Sequence, residues 1–98
     1  MKVSLYVAGD APTSRAARQA LEALLDELRG VCVNYELVDV LLHPERALKA
    51  GLLATPTLIV DAGGRSRRFV GDLANRGDFA ETIKAFCDQQ RDATQTRG

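Results

Sequence analysis

At the start of the chain Val3, Leu5 and Val7 alternate with Lys2, Ser4 and Tyr6, the period of two that marks a strand. Ala8-Gly9-Asp10-Ala11-Pro12 closes it as a loop. The period then changes: Ala17, Ala20, Leu21, Leu24, Leu25 and Leu28 recur at steps of three, one, three, one and three, so they share one face of a helix. Thr13 or Ser14 is expected to accept its first orphan amide, and Gly30 to close it after Arg29. Residues 31–40 predict a second strand, with Val33, Tyr35 and Leu37 on one side and Asn34 and Glu36 on the other. Val38 and Val40 break that alternation, as a bulge would. His43-Pro44 opens a shorter helix, with proline at the position whose N–H is not needed; Ala47 and Leu48 are expected to face inward, and Gly51 to end it.

Pro56 precedes the β-branched run of residues 57–60 and is read as the first residue of a central strand, because proline gives no N–H to a ladder. The Thr55-Pro56 bond has two readings: an ordinary trans bond in a loop, or a cis bond that offers backbone groups to a groove for an extended partner. Gly63-Gly64 supplies the positive φ angles of a hairpin between this run and residues 67–70. Gly71-Asp72-Leu73 turns the chain again, with Asp72 read as a staple of the Gly71 turn. Asp78 with Glu81 reads as an acidic capping box ahead of a last helix spaced by Phe79, Ile83 and Phe86. The order is βαβαββα. Its first crossover makes a parallel strand pair and its hairpin adds an antiparallel edge. This predicts an α/β, thioredoxin-like domain with a mixed four-stranded sheet over residues 1–88, followed by a polar, disordered tail at 89–98.

Ninety-eight residues leave no room for a second catalytic module. Thirteen basic and thirteen acidic residues cancel, so no long-range field draws the chain to nucleic acid or an anionic membrane. No apolar run approaches the roughly 20 residues of a membrane span, and the chain starts directly in a strand, so a cytoplasmic location is expected. Cys32 and Cys87 form neither a Cys-x-x-Cys pair nor a zinc framework, and both are expected to be reduced and buried.

A redox enzyme of this fold needs a low-pKa cysteine at the start of its first helix. Residues 10–14 contain none. Ser14 could orient a bound thiol there, against its reading as a helix cap. His43 is the only histidine and reads as a helix-start residue, with no constellation for catalysis or metal binding around it. Gly9 stands alone after the first strand, which makes no phosphate loop. Catalytic, cofactor and metal residues are therefore assigned as none. Arg65, Arg67, Arg68 and Arg76 concentrate positive charge near the fourth strand; the readings are a solvated edge that discourages aggregation and a docking patch for an acidic partner.

Four segments resemble the KaiB circadian-clock family: Leu5-Tyr6-Val7-Ala8-Gly9 with Pro12 and Ser14; Asp39-Val40-Leu41 with Pro44; Leu53-Ala54-Thr55-Pro56-Thr57-Leu58; and Arg67-Arg68 with Gly71-Asp72-Leu73. The resemblance spans residues 3–73 and needs no gap from Asp39 to Gly71. It implies a non-enzymatic clock component without cofactor that docks on the hexameric ATPase KaiC and sequesters KaiA or displaces the KaiB-like sensor domain of a histidine kinase. It also implies fold switching, between a tetrameric βαββααβ resting state and the thioredoxin-like binding state.

Three positions depart from the family pattern. Gly63-Gly64-Arg65 replaces a proline run, Gly51 stands where a lysine is usual, and Glu36 where a basic residue is usual. Gly-Gly favours a hairpin, and glycine inside a helix costs about 1 kcal/mol relative to alanine. Both predict a chain that is thioredoxin-like at rest and switches little. The changes at Gly51 and Glu36 predict a co-adapted or different partner. Partner binding is assigned to the strand-two edge and the helix after Pro44, through Asn34, Glu36, Arg46 and Lys49. Pro56, Gly63, Gly64, Gly71 and Asp72 are assigned structural roles. The alternative function is a thiol-ligand or redox-stress protein that uses Pro56 and Ser14, with Cys32 or Cys87 as an auxiliary thiol.

Overall fold

The elements run β1 (Lys2–Val7), α1 (Pro12–Glu27), β2 (Asn34–Asp39), α2 (Pro44–Ala50), β3 (Thr57–Ala62), β4 (Arg65–Val70), a 3-10 turn at Leu73–Asn75 and α3 (Asp78–Arg97). They come from a computed structural model that describes residues 1–28, 33–75 and 77–97. The strands form one sheet in the order β2-β1-β3-β4. β1 pairs parallel with β2 and antiparallel with β3, and β3 pairs antiparallel with β4. This is the thioredoxin-like βαβαββα arrangement, and its second half is a ribbon backed by a helix rather than the βαββααβ alternative.

Alternation in β1 sets both faces. Val3, Leu5 and Val7 point to one side, where Leu58 and Val60 of β3 and Phe69 of β4 join them. Ala17, Leu21 and Leu24 of α1 and Phe79, Ile83, Phe86 and Cys87 of α3 close that core. The opposite side carries a smaller cluster of Tyr6, Val38 and Ile59, against which Val40, Ala50 and Leu52 pack. Because both faces are covered, Val38 is no slip in alternation. It shares a face with Asn34 and Glu36, the register from Lys2↔Asn34 to Val7↔Asp39 is continuous, and the expected bulge is absent from β2.

Gly63 and Gly64, at φ 55° and 81°, form the two-residue turn between Ala62 and Arg65, whose double positive φ matches the right-handed twist of the strands it joins. The Thr55-Pro56 bond is cis and Pro56 is buried; its carbonyl accepts the Gly71 N–H at 3.0 Å. That pairing joins the start of β3 to the end of β4. Asp72 serves the next turn: its carboxylate accepts from Asn75 Nδ2 at 2.6 Å, and its carbonyl from the Asn75 N–H at 3.3 Å.

Several local expectations are corrected. No side chain caps α1, whose N-cap is Ala11 with Pro12 in its first turn. The Ser14 hydroxyl, in a side chain only 2% exposed, instead accepts the Ala8 N–H at 3.2 Å, tying the helix back to the strand before it. At the far end α1 stops at Glu27 with Leu28 as C-cap; Arg29, Gly30, Val31 and Cys32 lie outside the described residues, as does Arg76. α3 begins at Asp78, and Gly77 accepts the Glu81 N–H. The capping position thus falls to Gly77, and the two acids sit in the first turn, where they complement the helix dipole. α3 also continues through residues 89–97, where a tail was expected. Polar residues such as Gln and Arg propagate a helix at little cost once a packed turn has nucleated it.

One polar tie carries a pH prediction. Tyr35 on β2 and Arg18 on α1 both donate to Glu22 Oε2, at 3.1 Å each. Burial, and then the hydrogen bond to the Glu22 carboxylate, hold the Tyr35 phenol above its ordinary range. A group whose folded pKa is raised contributes stability below its unfolded pKa, here about 10, and loses it as pH climbs further. Urea midpoints should fall above about pH 10 in the wild type. Tyr35→Phe should flatten that decline.

Candidate functional site

α2 is short and buries no residue fully. Proline at its first position, His43 as N-cap and Gly51 at φ 67° as a left-handed C-cap fix its two ends. Polar clamps hold it across the sheet. On the β2 side Arg46 donates to the Glu36 carboxylate, and that hydrogen bond raises the already high pKa of the guanidinium. On the β4 side Arg68 donates to the carbonyls of Ala50 and Gly51. These are the orphan carbonyls of a helix C-terminus, where a cation also meets the favourable end of the dipole.

Glu36, Arg46 and Lys49 line one open concavity of about 470 Å³ with Lys2, Tyr6 and Ala50. Three of the four residues assigned to partner binding are therefore brought together. Asn34 is not among them. It lies nearer the strand's start, in a separate hollow of about 410 Å³ beside Met1, Asp61 and the Gly63-Gly64 turn. Glu36 is not a loose charge, since Arg46 neutralises it within the chain.

The leucines around α2 escaped the sequence reading. Leu48, expected to face inward, is 84% exposed; Ala47 and Ala50 take the inward side. Leu41, Leu42 and Leu53 are exposed as well, Leu53 completely. The available signal was a pair of leucines before His43-Pro44, and a helix whose inward positions are alanines too small to need Leu48 beside them. Contiguous exposed apolar patches mark association surfaces, and leucines exposed this often in one short segment make α2 and its flanks the candidate for one.

Asp39 shapes this segment. Its Oδ1 accepts the N–H groups of Gly9 and Leu41 at 3.0 Å each. Its carbonyl accepts those of Leu42 and His43, at 3.1 and 2.9 Å. The loops after β1 and β2 are thereby joined, and Leu41 and Leu42 are displayed on a turn wound around one carboxylate. His43 is exposed beside Glu45, at 3.5 Å.

Features suited to thiol chemistry are differently placed. Cys87 is buried in the main core, 2% exposed, and Cys32 lies outside the described residues. The Ser14 hydroxyl is turned inward to Ala8. Among the described residues no group of three or more His, Cys, Asp or Glu could hold a metal ion, and no helix is long and apolar enough to cross a membrane. Arg67 and Arg68 fall on opposite faces of β4, as alternation requires.

The KaiB domain model matches residues 4–84. The chain is 41% identical over 97 residues to the circadian clock oscillator protein KaiB of Parasynechococcus marenigrum, covering 98% of this chain and 92% of that protein. It is 41% identical over 75 residues to the protein of the same name from Thermosynechococcus vestitus, covering 76% and 68%. Among solved structures it resembles thioredoxin 1 of Thermosipho africanus, with TM-score 0.75, 16% identity and coverage of 93% and 99%. The N-terminal domain of Synechococcus elongatus SasA gives TM-score 0.72 and 21% identity, with coverage of 90% and 83%.

Proposed function

This chain belongs to the KaiB family, and from that premise we propose that it is a non-enzymatic, clock-related protein-interaction module of the cytoplasm that docks on a KaiC-type ATPase. The docking face is α2 with the adjoining β2 edge. One observation supports it most: Leu41, Leu42, Leu48 and Leu53 are exposed around a helix that arginine clamps hold at both sides of the sheet. An apolar surface held rigid in advance loses little conformational entropy on binding. Lys49 and the Arg46–Glu36 pair border it and supply charge specificity.

Glu36 and Gly51 stand where the family pattern has basic residues, so a KaiC-type partner would have to be co-adapted to this chain, the alternative being a different partner. The same face suits a pathway in which the chain competes with the KaiB-like domain of a histidine kinase. The test is retention of a KaiC-type ATPase from the native host by the tagged full chain. Wild type retains the ATPase; Lys49→Glu and Glu36→Arg lose it, since charge reversal at an interface costs several kcal/mol. Unchanged retention by both variants shows the surface to be misassigned. Capture of a sensor kinase without the ATPase shows a different pathway.

A further inference from the structure

β4 is the last strand on its side of the sheet, and the Gly71 N–H points inward to the Pro56 carbonyl. Successive amides of an antiparallel strand point to opposite sides. Those of Arg65, Arg67 and Phe69 therefore face β3, and those of Ser66 and Arg68 face away from the sheet. Such an outward row can accept another strand. We propose that β4 is a second interaction site, distinct from the α2 face, which takes an extended acidic peptide segment as a fifth, antiparallel strand.

Charge selects the occupant. Arg65 and Arg67 are exposed on one face of β4, pair across the sheet with the neutral Ala62 and Val60, and have no carboxylate partner among the described residues. Arg67 is held over the Phe69 ring, 5.8 Å from its centroid, so its charge is localised beside the edge. Discouraging aggregation requires only charge and would not call for this placement. Arg68 is already engaged by the carbonyls at the end of α2.

The register also specifies the segment. Residues directly opposite one another share a face, so acids two apart meet Arg67 and Arg65. A blocked hexapeptide VVTETE fulfils this pattern, running from Val70 towards Arg65. β2 is the other edge of the sheet, and no residue of β4 lines the concavity of Glu36, Arg46 and Lys49, so failure of this site leaves the docking reading untouched.

The test is titration of the full chain with VVTETE and with VVTKTK at low salt, followed by NMR and amide hydrogen exchange. VVTETE should bind and slow exchange at Ser66 and Arg68. Salt should weaken it, and Arg67→Glu or Arg65→Gln should lower its affinity, about tenfold for the reversal, with circular dichroism and ATPase retention unchanged. Equal binding of the lysine peptide, perturbations confined to β2, or no binding at millimolar peptide overturns the proposal.

Discussion

Leu58→Ala lowers the unfolding free energy by about 3–5 kcal/mol, the range for truncating a fully buried leucine whose surroundings cannot collapse. Leu58 has no exposed surface and sits mid-sheet, in register with Leu5 on one side and Phe69 on the other. α1 and α3 cover that face through Leu21 and Ile83, so neither helix can fill the void without leaving its strand contacts. A domain of this size has about 5–15 kcal/mol in total, and the melting temperature should drop by more than about 12 °C. Leu48→Ala, ten residues earlier and exposed, should change stability by less than about 0.5 kcal/mol. Thermal denaturation of the two variants side by side checks both values.

Asp39→Ala should cost about 2–3 kcal/mol, because it leaves two backbone amides without the charged acceptor they share. The loss is more than local. Gly9 and Leu41 are in such close contact that a Cβ at Gly9 would lie 3.0 Å from Leu41 Cδ1, and the carboxylate holds their two loops at that distance. Without it, the turn that displays Leu41 and Leu42 loosens, and partner affinity falls along with stability. Asp39→Asn retains an acceptor oxygen and should recover part of both. Urea unfolding gives the first quantity and ATPase retention the second.

The element order was legible because each signal was local. Alternation at Val3, Leu5 and Val7, the Leu21-Leu24-Leu28 stripe, His43-Pro44 with Gly51, and Gly63-Gly64 each report on a few neighbouring residues. The misreadings came from contacts between distant segments. Val38 looks out of phase until α2 is seen to cover its face, and Ser14 looks like a cap until the Ala8 amide is found above it. Leu48 looks like core by composition, although Ala47 and Ala50 already fill the space beneath α2. Arg68 looked like surface charge and proved to be the clamp on the α2 C-terminus.

The candidate site shows the same division. Arg46 and Lys49 could be chosen from their place on a short exposed helix, and the structure sets them in one concavity with Glu36. Asn34 shares the polar face of β2 with Glu36, but alternation gives the face of a strand and not the distance along it. The exposed leucines flanking and on α2 went unseen because a hydrophobic residue in sequence is read as core by default.

Hydrogen exchange of the chain mixed with the KaiC-type ATPase proposed as its partner, compared with the free chain, tests the proposed docking face most directly. Slowed exchange in residues 34–50, centred on α2 and the turn after Asp39, is the predicted result. Exchange in those residues that is unchanged on binding, with protection elsewhere on the sheet, would contradict it.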